Sequence, residues 1–207
     1  PIVVAHRAGN RLDLLAEALE AGAAMIEADV WYHRGRLEVR HSKTLGPVPV
    51  RWDRWSLERG WRPPLLLADV VSLVAGRTML MLDLKGGHPE TSDGARLAMR
   101  TLADGAPYAV ASQWWDALAP FRDVEEATVL YSAGSARMLR ALELRAAWSQ
   151  REGVASHRRL LSEEVVASLH KKVGVVASWP INRPEQLAEV GGWGVDWAIS
   201  DTLWRNH

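Results

Sequence analysis

The sequence predicts an α/β fold, a compact TIM (β/α)₈ barrel in which residues 1–207 form a single domain with a site at the C-terminal ends of its strands. Eight β-like runs alternate with helical spacings over 207 residues, and no linker, internal repeat or low-complexity tract interrupts them. Three of those runs also end in charge: His6-Arg7 after Ile2-Val3-Val4-Ala5, Glu27 and Asp29 within residues 24–30, and Asp83-Leu84-Lys85 after Met79-Leu80-Met81-Leu82. Such charges are costly when buried unpaired in a core, but ordinary at a barrel mouth where strand ends converge.

Residues 2–5 read as the first strand. Leu12, Leu15 and Leu19 follow at helical spacing up to Ala21-Gly22, and residues 24–32 form the second strand. A turn at Arg34-Gly35 leads into residues 37–41, whose alternation suits a hairpin arm. Residues 42–64, rich in Pro, Trp and Arg, read as an irregular loop over or beside the site. Residues 67–74 then read as a helix and 78–84 as a strand. The alternation continues with helix 94–102, strand 108–111, helix 115–121, strand 127–131 and helix 135–147. Weaker strands at 154–156, 173–178 and 195–200 are separated by helices at 162–171 and 184–190. Such a barrel is lean, since about 250 residues is usual, and its closing helix is nearly absent.

Composition narrows the function without naming it. Twenty-five basic residues balance 25 acidic ones, so no global field draws nucleic acid, and none is expected as a partner. Zero cysteines exclude disulfides and thiol chemistry. The apolar runs are too short to span a bilayer, and the chain is expected to be cytoplasmic, subject to any leader removed before residue 1.

Side chains two apart on a strand share a face, so Glu27 and Asp29 point together, as do Asp83 and Lys85. If the second and third strands are neighbours, three carboxylates meet at one rim beside a lysine. That set suits one hard divalent cation, Mg²⁺ or Ca²⁺. His6 and His41 can take and give protons near neutral pH, and Arg7 offers a planar donor fork suited to phosphate. Together these groups point to phosphoryl chemistry.

The segments His6-Arg7-Ala8-Gly9-Asn10, residues 22–30, His41 with Leu45 after it, and Leu82-Asp83-Leu84-Lys85 resemble the glycerophosphodiester phosphodiesterase family. Ser178-Trp179-Pro180-Ile181-Asn182 and residues 194–201 are similar to that family's late motifs, so the resemblance runs in order from residue 6 to residue 201. It implies a TIM barrel that cleaves glycerophosphodiesters, such as glycerophosphocholine, to glycerol phosphate and an alcohol with a divalent cation. It implies His6 and His41 as the acid–base pair, Glu27, Asp29 and Asp83 as metal ligands, and Arg7, Lys85, Trp179 and Asn182 as substrate contacts.

The departures from the pattern have consequences. The first loop is short, with Asn10 in place of a more distant asparagine; Asp83 stands where glutamate is commoner, Ser42 where aspartate follows the second histidine, and Pro180 where threonine is usual. The compact loop and Asp-x-Lys strand also look like the sphingomyelinase D branch of the superfamily, whose loop cysteines are absent. Two alternatives therefore stand beside hydrolysis: a lysophospholipase D or sphingomyelinase D-like transfer to a cyclic phosphate, and a non-catalytic phosphate-binding barrel. The expected partner is a small-molecule or lysolipid phosphodiester. Trp52, Trp55 and Trp61, with Arg51, Arg54, Arg59 and Arg62, would wall the headgroup or touch a membrane surface transiently if they did not simply fold as a flap.

Overall fold

Runs of Val, Ile, Leu, Met and Ala form eight parallel strands that close into a ring. The computed structural model describes residues 1–44, 50–53, 56–59 and 64–202. The strands are β1 (Ile2–Ala5), β2 (Met25–His33), β3 (Met79–Leu84), β4 (Tyr108–Ser112), β5 (Ala127–Ala133), β6 (Glu152–His157), β7 (Val175–Trp179) and β8 (Trp197–Ser200). Each pairs in parallel with its sequence neighbours, and β1 also pairs with β8, so Val4 lies between Met25 and Ile199. Closure leaves these strands no free edge and brings every C-terminal end to one rim.

Two cores result from the alternation of side chains along each strand. Inside the ring, Val4, Met25, Met81, Leu130, Trp197 and Ile199 pack with Ala109, Ala111, Ala155 and Ala177. Small alanines make room there for the large Trp197 ring. Outside, the other face of each strand packs against α1 (Leu12–Glu20), α2 (Leu67–Val74), α3 (Pro89–Leu102), α4 (Ala136–Leu144), α5 (Glu163–His170) and α6 (Pro184–Gly192). Ser135 and Ser162 cap α4 and α5, each hydroxyl accepting a backbone N–H three residues on.

The eight-stranded barrel agrees with the sequence reading, and the differences are local. Helix α3 starts at Pro89 rather than near residue 94, because proline suits a first helical position and Gly94 is needed inside. A Cβ on Gly94 would lie 2.9 Å from Leu37 Cδ1, so the glycine lets the helix pack on the hairpin arm. Trp115–Phe121 is a 3₁₀ helix containing Pro120, whose missing N–H prevents continuation as an α-helix. The stretch 42–64 is more regular than expected: Lys43–Thr44, Val50–Asp53 and Ser56–Arg59 pair as a three-stranded antiparallel sheet. The Trp and Arg side chains of residues 51–62, read either as a wall of the site or as a folded flap, lie outside the described residues. Among the described residues, no helix is long and apolar enough to cross a membrane.

The arm that carries His41 is built by a tight turn. Arg34 and Gly35 adopt φ of 50° and 80°, the left-handed pair that a two-residue hairpin requires. Arg36–Val39 then runs antiparallel to β2, from the Arg36–His33 pair to the Val39–Val30 pair. The Arg40 N–H donates to Asp29 O at 3.0 Å, which brings residue 41 back over the barrel mouth. Buried Glu38 accepts Arg40 Nε–H at 2.8 Å, while the Arg40 guanidinium also reaches Ser42 O.

At the opposite, N-terminal face, Glu152 organises a polar knot. It accepts Tyr131 Oη–H and an Arg145 N–H, each at 2.8 Å, and the Ser149 N–H at 2.8 Å. The Arg145 guanidinium lies between the Tyr131 and Trp148 rings, 4.2 and 4.4 Å from their centroids. Burial pushes the Glu152 carboxyl up, but these donors outweigh it and hold its pKa below the ordinary glutamate value.

Candidate active site

The strand ends of β1, β2 and β3 converge with the hairpin arm. Register places Asp29 beside Asp83 and Glu27 beside Met81, so both aspartates sit at one level and Glu27 lies one step deeper. Glu27, Asp29 and Asp83 each offer an oxygen within 4.8 Å of the others. Glu27 and Asp29 are almost fully buried, at 2% and 1% exposure. Lys85 lies among them: its ammonium is 2.7 Å from Asp29 Oδ1 and also pairs with Asp83.

Crowding of like charge sets the titration of this group. Burial, then the neighbouring charge of Asp29, pushes the Glu27 carboxyl up to about 8. Burial and Asp29 likewise raise Asp83 despite Lys85. Burial acts on Asp29 in the same sense, but the Lys85 ammonium and the Asn10 hydrogen bond outweigh it, and Asp29 is lowered. Burial disfavours the Lys85 ammonium, yet Asp83, Asp29 and Glu27 hold its pKa well above the usual lysine value. Three carboxylates sharing one half-buried lysine fit a hard divalent cation, which would be held by Glu27, Asp29 and Asp83 and relieve their repulsion.

The first turn supports this cluster. Arg7 has φ 57°, a left-handed conformation that directs its backbone N–H to Glu27 Oε2 at 2.6 Å. Ala8–Asn10 forms a 3₁₀ turn laid directly on β2, where a Cβ on Gly9 would come within 2.6 Å of Ala28 Cβ. Asn10 Nδ2–H donates to Asp29 Oδ2 at 2.7 Å, and Asn10 Oδ1 accepts the Asp29 N–H at 2.9 Å. The asparagine in the short loop thus orients an acidic side chain.

His6 and His41 face the same pocket, of about 500 Å³, as the carboxylates. His41 Nε2 lies 2.6 Å from Arg7 Nη2; a guanidinium can only donate, so this nitrogen accepts. His6 Nδ1 lies 2.6 Å from Asp201 Oδ1. Burial works against the charged form of His6, but the hydrogen bond to Asp201 and the charges of Glu27 and Asp201 outweigh it, so its pKa is raised. The same hydrogen bond, with help from Asn182, holds Asp201 well below the usual carboxylate range.

All nine residues singled out in the sequence line this one pocket. Trp179 stands on the far wall, edge-on to His157 at 5.1 Å between ring centroids, and the Trp179–Pro180 bond is cis. Asn182 lines the pocket too, but both ends of its amide engage residue 201. Gln113 and His157 complete the wall from β4 and β6. Gly86 and Gly87, with φ of 82° and 63°, make the turn after Lys85. Asp201 had no role in the sequence reading. Its signal was present, since Ser200-Asp201 ends an apolar strand in charge as the first three stretches do.

No family model matches the chain, and no curated protein does. Solved structures do. A phosphodiesterase from Oleispira antarctica, in complex with its product sn-glycerol-3-phosphate, is 20% identical with a TM-score of 0.75, the alignment covering 97% of this chain and 93% of that one. A glycerophosphodiester phosphodiesterase from Thermotoga maritima is 19% identical with a TM-score of 0.73, covering 98% and 95%. Another from Parabacteroides distasonis is 21% identical with a TM-score of 0.70, covering 96% and 92%. What is shared at this identity is the barrel fold over nearly the whole chain.

Proposed function

We propose that this chain belongs to the glycerophosphodiester phosphodiesterase family and hydrolyses glycerophosphodiesters, such as glycerophosphocholine, to glycerol phosphate and an alcohol. The observation that carries this reading is the placement of His6 and His41 in one pocket with Glu27, Asp29 and Asp83. A pure phosphate binder needs donors, but has no need of two proton carriers beside an acidic cluster. The fold shared with phosphodiesterases supports the same conclusion.

In this reading Arg7 and Lys85 hold the phosphate oxygens, and Trp179 packs against the organic part of the diester. One histidine takes a proton from water as its oxygen bonds to phosphorus; the other gives a proton to the alcohol oxygen as the P–O bond breaks. A Mg²⁺ or Ca²⁺ ion held by Glu27, Asp29 and Asp83 would supply charge neutralisation and orientation of the diester. The Arg7 guanidinium donates to His41 Nε2, so an arriving phosphate would compete with this nitrogen for the Arg7 donor.

Phosphorus NMR of products from glycerophosphocholine and lysophosphatidylcholine, with Mg²⁺, with Ca²⁺ and with EDTA, tests the proposal. Glycerol phosphate is expected as the phosphorus-bearing product from glycerophosphocholine with either cation, and not in EDTA. A cyclic phosphate would instead identify intramolecular transfer, and the absence of turnover on any diester with either cation would leave a binding barrel. Full activity in EDTA would overturn the metal assignment.

A further inference from the structure

The rim formed by the ends of β7, β8 and β1 carries a second chain of contacts. It begins on the loop after β7, where the Asn182 N–H donates to Gln186 Oε1 at 2.9 Å. Asn182 Nδ2–H donates to Asp201 Oδ2 at 2.9 Å, and Asn182 Oδ1 accepts the Asp201 N–H at 2.9 Å and, at 3.4 Å, the Ser200 hydroxyl. The other carboxylate oxygen, Oδ1, meets His6 Nδ1 at 2.6 Å. Three adjacent strand ends, β7, β8 and β1, thus supply one residue each.

We propose that Asp201, braced by Asn182, is a positioning residue for His6: it accepts the Nδ1 proton and fixes the ring with Nε2 as the nitrogen that exchanges protons in the pocket. An ionised carboxylate only accepts hydrogen bonds, so Nδ1 of a histidine bonded to it must carry the proton. A neutral imidazole without such a partner divides between two tautomers and two ring flips, and only some of these present a lone pair to a reacting oxygen. Asn182 removes the remaining freedom, because its amide holds both a side-chain oxygen and the backbone of Asp201.

Position separates this device from the acidic cluster. Glu27, Asp29 and Asp83 stand on β2 and β3, whereas Asn182 and Asp201 follow the ends of the last two strands and make no contact with Lys85 among the hydrogen bonds and ion pairs of the described residues. Asp201 is also half exposed, and an ion pair so open to water contributes little stability. Its loss should therefore disturb His6 and leave both the fold and cation binding in place.

For catalysis the proposal rests on the phosphodiesterase reading, and its test is chosen to separate the two. Nitrogen-15 NMR of the His6 ring in the cation-free protein reports the tautomer without any turnover. Wild type is expected to show Nδ1–H, Asp201→Ala a mixture, and Asp201→Asn, which keeps an accepting oxygen, an intermediate state. Asp201→Ala should lower kcat at least about 10-fold while KM and Mg²⁺ affinity stay within about twofold, and Asn182→Ala should do the same more weakly. Should Asp201→Ala fail to fold, Asp201→Asn and Asn182→Ala carry the same readouts. A wild-type His6 protonated on Nε2 alone, or an Asp201→Ala protein with unchanged tautomer and kcat, would overturn the proposal. The expected tautomers in a protein that cleaves no diester would uphold the positioning of His6 and sink the phosphodiesterase reading.

Discussion

Asn10 grips Asp29 at both ends, donating from Nδ2 to its Oδ2 at 2.7 Å and accepting its backbone N–H at Oδ1 at 2.9 Å. One side chain in the first turn thereby sets both the height of β2 and the rotamer of a buried carboxylate. Asn10→Ala removes both bonds and leaves an oxygen and an N–H of a buried residue without these partners. A loss of about 1–3 kcal/mol in chemical denaturation is expected, together with weaker Mg²⁺ or Ca²⁺ binding by calorimetry. Unchanged cation affinity would show that Asp29 does not need this clamp.

The two histidines are separable from the fold. Neither belongs to the apolar cores, so His6→Ala and His41→Ala should melt close to the wild-type temperature. Each should lower glycerophosphocholine turnover by about 100-fold or more, the range for a lost general acid or base. Retained activity in His41→Ala would break the pairing.

Gly9 is confined by backbone packing rather than by dihedral freedom. Its Cβ would approach Ala28 Cβ to 2.6 Å and Glu27 O to 3.0 Å, neither of which can move without shifting β2. Gly9→Ala is expected to cost about 1–3 kcal/mol in denaturant titration, as overpacking does, and to impair cation binding along with it.

Glu152 provides a test at the face remote from the pocket. Its folded pKa is depressed, so its contribution is present above its unfolded value near 4.5 and is lost as pH falls through the folded value. Glu152→Gln should therefore destabilise the protein by about 1–3 kcal/mol at pH 7, and the gap to wild type should narrow in acid. Turnover below the melting transition should be unaffected. A gap that widened on acidification would contradict the depressed pKa.

The strand-end residues were legible because the two-residue period of a strand is strict: Glu27 with Asp29, and Asp83 with Lys85, had to share a face wherever the strands lay. Their meeting required only that β2 and β3 be neighbours, and the Asp29–Asp83 register bears that out. The His6–Asp201 contact joins residues 195 apart and exists only because β1 closes on β8. Local pattern carries no such information. The Arg7–His41 bond likewise depends on how a hairpin docks, and the early start of α3 on whether Gly94 packs inside or caps. The pairing within residues 43–59 escaped for another reason, since mixed Trp, Arg and Pro hide the alternation that marks a strand.

His41 differs from the other site residues in being delivered by the antiparallel arm, not by a barrel strand. Its place depends on counting: from the Arg34-Gly35 turn through Val39, each residue of the arm is matched to one of β2. Adding or removing a single residue there would present Arg40 or Ser42, respectively, to the pocket instead, turning a proton carrier into a fixed cation or a hydroxyl. An exposed hairpin usually tolerates changes in length. This one is effectively a ruler, and its span should resist insertion and deletion as firmly as any barrel strand.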